Sequence, residues 1–296
     1  MTRQRWAQIS GFSALFLLAC GPAADDLVAG PGGVAELSQA LRGGNSLTPN
    51  GLNPNGLSPN GLSPNGLSPN GLSPNSLSPA ALAAIQDPTQ AGHLSRMFLR
   101  YAVGCAFDST QSFTFSWTDI FGGRHDETYC GQLGLAPTWA TQPLDLGGQQ
   151  KVSACLGALT NYYGASVMVS LRSQEDPLKS LTIKTELAQY RYVEGAFFGN
   201  LFAATPRLHA CYVTDNVEYS RAALRDCAAG HVVFVPSDGD GDGDGDVILE
   251  GCGLIQRLGP CSRHCKKLDG GGQYYPSCTD PVTGLSTKWV ITTALQ

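Results

Sequence analysis

Nucleophilic catalysis needs a thiol or hydroxyl whose proton a neighbouring base can take, and here the arrangement of that kind is Cys155 with His209 or His231. A thiolate near a helix N-terminus, paired with such a histidine, is the logic of a cysteine peptidase or amidase, and Gln149 upstream could supply an oxyanion donor. Against it stands the position of Cys155 inside an apolar periodic run, because burial keeps a thiol protonated and inert. Glu186, Glu194 and Asp215 could serve as the paired carboxylates of a glycosidase, but exposed or salt-bridged acids are the simpler account. The run from Tyr190 to Asn200 mixes aromatics, glycine and charge, as the lining of a sugar or peptide groove does, and core packing would use the same residues. A G-x-S-x-G elbow, a P-loop, an H-E-x-x-H pair and a dinucleotide fingerprint are all missing.

Cell-wall amidases of the NlpC/P60 type look similar in placing a His some tens of residues after the Cys. No Asp-Cys-Ser-Gly run surrounds Cys155, so the similarity stops at that spacing.

Cation chemistry has one candidate. Asp238, Asp240, Asp242, Asp244 and Asp246 alternate with glycine, so oxygen ligands at every other residue could converge on Ca2+ while the glycines let the loop curl. The D-x-D-x-D-G-x-x-D part of a calcium loop is met from Asp238 to Asp246, but position twelve is Leu249, and Glu250 comes one residue late. A weak, stabilising Ca2+ site competes with a solvated acidic turn, and no other cofactor is implied.

The remaining cysteines point to an oxidising compartment. Cys105, Cys130, Cys155, Cys211, Cys227, Cys252, Cys261, Cys265 and Cys278 are dense enough to form a disulfide framework, and their odd number leaves one thiol over. Cys105 and Cys155 fall on apolar helix faces and are the first expected pair; Cys211 and Cys227 are the second. Two crosslinks among Cys252, Cys261, Cys265 and Cys278 would then replace a core in a stretch rich in Gly and Pro. Zinc held by the same cluster with His264 is the alternative, but only Cys261 and Cys265 have close metal-site spacing.

Location is read from the N-terminus. Arg3 and Arg5 precede an apolar run from Phe12 to Ala19 that is too short to cross a bilayer, and the run ends in Leu17-Leu18-Ala19-Cys20. This resembles the bacterial lipoprotein signal, which implies removal of residues 1–19, acylation of Cys20 and attachment to the lipid bilayer. Gly21 stands where, by the same resemblance, an Asp would retain the protein at the inner membrane, so an outer-membrane lipoprotein facing the periplasm or the surface is expected. Residues 20–44 are expected to be flexible. From Asn45 to Pro79 the chain repeats every five residues, as in Asn60-Gly61-Leu62-Ser63-Pro64. A proline in each unit disfavours helix and removes ladder donors, so the tract reads as a semi-flexible spacer, followed by a connector over 80–92. Asn-Gly-Leu repeats behind such a signal resemble those of surface lipoproteins in myxobacteria, a likeness that implies no particular activity.

The elements that must position the candidate residues follow from periodicity. Leu94, Phe98, Tyr101 and Cys105 predict a helix over His93–Ala106; Val152, Cys155, Leu156 and Leu159 predict one over Gln149–Tyr163; Ser220–Ala229 is a third, short helix. Alternating Phe113, Phe115 and Trp117 predict a strand over Ser112–Thr118. Further strands are expected at Ala165–Leu171, Leu181–Leu187, Gly230–Val235, Asp246–Ile255 and Thr287–Thr293. Strands without regular helical crossovers argue for one α+β domain over 93–296, disulfide-linked, with a mostly antiparallel sheet and two to three helices. The formal charge of -5, with no Lys/Arg stripe, argues against nucleic acid as a partner and leaves a cell-wall or surface polymer as the candidate. A surface-displayed binding or structural module is therefore the expectation, with the tethered cysteine hydrolase as its rival.

Overall fold

The computed structural model describes residues 47–50, 52, 71–235 and 246–296. Its elements are β1 (Leu47–Asn50), α1 (Pro79–Gln86), α2 (Gln90–Ala106), β2 (Ser112–Thr118), β3 (Arg124–Cys130), α3 (Leu146–Leu159) and β4 (Val167–Arg172). They continue as α4 (Leu178–Leu181), α5 (Lys184–Gln189), β5 (Tyr192–Asn200), β6 (Arg207–Tyr212), α6 (Val217–Ala222), β7 (His231–Val235) and β8 (Asp246–Glu250). The last are β9 (Ile255–Pro260), β10 (Cys278–Thr279), β11 (Ser286–Thr287) and β12 (Ile291–Leu295). The class is α+β, with more helices than the two to three expected, the additional ones being short. The main sheet has the order β1-β4-β12-β5-β6-β9 and is antiparallel except where β6 meets β9.

Each side of this sheet is closed differently. On one side lie α2 and α3, and the strands send Val169, Leu171, Phe197, Leu208, Ala210, Ile291 and Leu295 into a shared core with Phe98, Leu99, Val152 and Leu156. The Thr89 hydroxyl caps α2 by accepting from the Ala91 N–H at 3.3 Å, and the Asp145 carboxylate caps α3 through the Gly148 N–H at 2.6 Å. On the other side, Val193, Ala196, Phe198, Cys211, Cys261, Tyr275, Cys278 and Val290 form a smaller cluster. Alternation along the strands produces this division, so neighbours such as Phe197 and Phe198 enter opposite cores. Gly195 permits the close approach of β5 to β6: a Cβ there would meet the Cys211 carbonyl oxygen at 2.1 Å.

Four disulfides are formed among the described residues: Cys105–Cys155, Cys211–Cys261, Cys227–Cys252 and Cys265–Cys278. The first joins α2 to α3 as their apolar faces imply. The expected Cys211–Cys227 pair is not made, because the parallel register that sets Tyr212 beside Pro260 brings Cys211 to Cys261, and Cys227 turns to Cys252. Among the last four cysteines only one bond is internal. The left-over thiol is not found either: Cys130 is disulfide-bonded, and no described cysteine is free.

Several boundaries differ. The helix expected over Gln149–Tyr163 starts at Leu146 and stops at Leu159, where the Thr160 hydroxyl donates to the Leu156 carbonyl at 2.8 Å. The strand expected at Leu181–Leu187 is two helical turns, since Lys184-Thr185-Glu186-Leu187-Ala188-Gln189 is made mostly of good helix formers. The expected helix at Ser220–Ala229 ends by Ala222, before Leu224 takes a positive φ of 57°. The long strand at Asp246–Ile255 is two, separated by Gly251-Cys252-Gly253-Leu254 with Gly253 at φ 55°. Likewise the strand at Thr287–Thr293 divides into β11 and β12.

The spacer reading of the repeat fails where the tract is described. Leu47–Asn50 form the outermost strand of the sheet, antiparallel to β4, with Leu47 opposite Ser170 and Asn50 opposite Val167. Pro49 is tolerated because an edge strand needs only one side of its backbone for the ladder. Leu52 is fully buried; its N–H donates to the Leu159 carbonyl at 3.1 Å and its carbonyl accepts from the Asn161 N–H at 2.9 Å. Leu72 and Leu77 are buried as well, and the supposed connector is largely α1 and the start of α2, with Ala81, Ala84 and Ile85 in the core. The described packing of the domain thus begins at Leu47 rather than at His93.

Candidate functional site

The sulfur of Cys155 is bonded to Cys105 and has no exposure to solvent, so the nucleophile of a cysteine hydrolase is not assembled. Neither histidine is placed to activate it. Cys155 lies in the helix-side core, whereas His209 alternates with Leu208 and Ala210 and faces across the sheet, beside Phe198 with ring centroids 5.4 Å apart. His209 is completely buried with its Nε2 3.4 Å from Asp280 Oδ2. Burial holds its pKa below the ordinary value, against the pull of Asp280. Desolvation pushes the Asp280 carboxyl upward, but the N–H groups of Thr283 and Val282 together with His209 hold it below its usual value.

His231 belongs to a separate polar cluster at the base of the β7–β8 ribbon. Its Nδ1 lies 2.8 Å from Asp226 Oδ2 and 3.2 Å from the Tyr163 hydroxyl, and its ring stacks on Tyr162 at 3.8 Å. The Tyr162 hydroxyl donates to Glu250 at 2.6 Å. A His–Asp pair of this form can orient an imidazole, yet the groups around it are phenols and carboxylates rather than a nucleophile. Burial and the Asp226 carboxylate raise the Tyr163 pKa, which keeps the phenol a hydrogen-bond donor.

The three acids considered as a glycosidase pair are dispersed. Glu194 is buried against Arg225, 2.7 Å from its Nη2; Glu186 is buried on α5 and accepts from the Ser170 hydroxyl at 2.5 Å; Asp215 is exposed beyond β6. The aromatic run over Tyr190–Asn200 is mostly β5, a strand buried from Val193 to Phe198, and so packs the core rather than lining a groove. Asp238, Asp240, Asp242 and Asp244 lie outside the described residues; Asp246 opens β8 opposite Val235. The sulfurs of Cys211, Cys261 and Cys265 gather within 4.8 Å of one another, but they belong to disulfides and His264 Nε2 lies 2.9 Å from the Leu258 carbonyl, so the zinc alternative is not formed.

The cleft that sequence reasoning missed is built around Trp289, in the link between β11 and β12. A shallow recess, open to solvent, is lined by Trp289, Lys151, Ser173, Glu175, Asp176 and Leu178 among others. The indole lies against the first turn of α3, where a Cβ on Gly147 would meet the ring at 3.3 Å. The ammonium groups of Lys151 and Lys288 each sit 4.5 Å from the Trp289 ring centroid, and Lys288 also pairs with Glu175 at 3.2 Å. The space is a shallow surface recess rather than an enclosed ligand cavity, so any ligand it met would lie across the surface against the indole. Its only advance signal was an aromatic between Lys288 and an apolar strand. Exposed apolar side chains also gather at two hairpins, Ile120 and Phe121 at the β2–β3 turn and Phe234, Ile248 and Leu249 on the β7–β8 ribbon.

Among the described residues no helix is long and apolar enough to cross a membrane. Compared with known proteins, the chain matches no family model, no curated protein and no solved structure.

Proposed function

We propose that this chain is a lipoprotein of the cell envelope, anchored through acylated Cys20, that acts as a binding module for a cell-wall or surface polymer. The observation that carries a binding role over the hydrolase is the Cys105–Cys155 disulfide: the sulfur needed for acyl transfer is oxidised and buried. The export signal and the density of disulfides support the compartment, and the anchor requires the Cys20 sulfur to carry lipid rather than to be the partner of Cys130, the one described cysteine outside the four pairs. The Trp289 cleft supports the ligand class, since an aromatic edge bordered by ammonium and carboxylate groups can meet a polymer that presents hydroxyls, amides and charges of either sign.

Two measurements test the reading separately. Co-sedimentation of the purified mature chain with isolated cell-wall polymer and with surface polysaccharide should show saturable binding that falls at least tenfold in Trp289→Ala. Equal sedimentation of the variant, or none of either protein, rejects the polymer role. Mass spectrometry of the native protein should find acyl groups on Cys20 as the first residue. A Cys20 peptide released only on reduction, or a chain still beginning at Met1, rejects the anchor.

A further inference from the structure

Leu47–Asn50 on the sheet edge and the buried Leu52 belong to one instance of a unit that the sequence repeats. Leu-X-Pro-Asn-Gly-Leu recurs at 47–52, 52–57, 57–62, 62–67 and 67–72, with Thr, Asn or Ser at X. The contacts that hold the resident unit ask for nothing that the others lack. Four residues pair through the backbone with β4, and a leucine is buried between two backbone hydrogen bonds to Leu159 and Asn161. Further along the tract, the Leu72 N–H donates to the Trp139 carbonyl. Exchanging one unit for the next shortens the 18 residues that separate it from Gly71 by five, and for chains of that length this alters the closure probability by only about 1.6-fold. The whole tract from Asn45 to Pro79 carries no charged residue, so nothing repels one copy of it from another.

We propose that the β4 edge and the Leu52 socket form a recognition surface for the Leu-X-Pro-Asn-Gly-Leu unit as such, and that in trans it takes the repeat of a second copy of this chain. One socket then faces the units 57–62 and 62–67 on each neighbour, which use neither the buried Leu52 nor the buried Leu72, so association between chains is multivalent and its register is degenerate. The resident strand at the sheet edge is the internal competitor. Edge strands are the first to open locally, and opening bares both the backbone of β4 and the leucine pocket. The inference is independent of the lipid anchor and of the Trp289 cleft.

The test uses the full mature chain carrying Cys20→Ser and a fluorescent synthetic peptide of three Asn-Gly-Leu-Ser-Pro units. Anisotropy should show saturable binding that weakens at least tenfold when each leucine of the peptide is replaced by aspartate. Binding should tighten at least tenfold in the chain with Leu52→Ala, Leu57→Ala, Leu62→Ala and Leu67→Ala, whose own units compete poorly. Light scattering should find concentration-dependent dimers of the chain with its leucines intact, which excess peptide dissolves. That measurement stands even if the fourfold variant does not fold. A monomer at every concentration that leaves the peptide unbound at millimolar levels overturns the proposal, as does equal binding of the aspartate peptide.

Discussion

Replacing Cys105 and Cys155 together by alanine probes the bond on which the choice between binding and hydrolysis turns. The two residues are 50 apart in sequence, and closing a loop of that length removes about 14 cal/mol/K of chain entropy from the unfolded state, which stabilises the fold by about 4 kcal/mol at 25 °C. Both side chains are fully buried at the contact of α2 with α3, so the lost sulfurs also leave a small void that adds to the loss. The same relation ranks the bonds: Cys211–Cys261 equals the first at a separation of 50, Cys227–Cys252 follows at about 3.5 kcal/mol for 25, and Cys265–Cys278 contributes about 3 kcal/mol for 13. Unfolding by urea under non-reducing conditions, followed by tryptophan fluorescence, gives these differences directly. A parallel alkylation of the native, unreduced protein should leave Cys155 untouched. The reasoning is refuted if the double variant loses less than about 1 kcal/mol, or if Cys155 reacts rapidly in the native protein and its loss abolishes a hydrolytic activity.

Glu194→Gln should cost about 3–5 kcal/mol in the same assay, because Glu194 and Arg225 are each 1% exposed and the change leaves a buried guanidinium without its counter-charge. Replacing both by methionine should cost less, and a loss below about 1 kcal/mol for the single change would contradict the pair's geometry. Stability should also decline as pH falls below 6.5: burial depresses the His209 pKa in the fold, so in that window the unfolded chain binds a proton that the native state refuses. His209→Gln should flatten the difference between urea midpoints at pH 7.5 and pH 5.5, and an unchanged difference would remove His209 as its source.

What the sequence made legible was what local periodicity controls. The apolar stripes of α2 and α3 and the alternation of β2 emerge as expected, and two cysteines on facing stripes found each other. Strand β3 was missed because Arg124, His125, Asp126 and Thr128 are all exposed, so no alternation marks it. Strand β5 was hidden for the opposite reason: it is buried on both faces, and Gly195 and Gly199 interrupt its apolar run. The Cys211–Cys261 pair follows from the parallel contact of β6 with β9, a long-range register that spacing does not encode. The Trp289 cleft was illegible in the same way, since Lys151 and Trp289 meet only when α3 and the C-terminal strands pack together.

The repeat is where local and tertiary rules diverge most, and the difference bears on how an anchored domain would be displayed. Read locally, a proline every five residues forbids any regular element, and all the chain from Cys20 to Pro88 counts as leash, about 240 Å when fully stretched. A sheet edge relaxes that prohibition, because a strand there needs ladder bonds on one side only. Once Leu47 is part of the sheet and Leu52 part of the core, the chain between anchor and domain ends at β1, and covalent geometry limits its reach to about 95 Å. Additional copies of the unit inserted after Leu52 would then add nothing to that reach. They would enlarge the supply of segments that fit one socket, so repeat number would set the valency of contacts between chains rather than the height of the domain above a membrane.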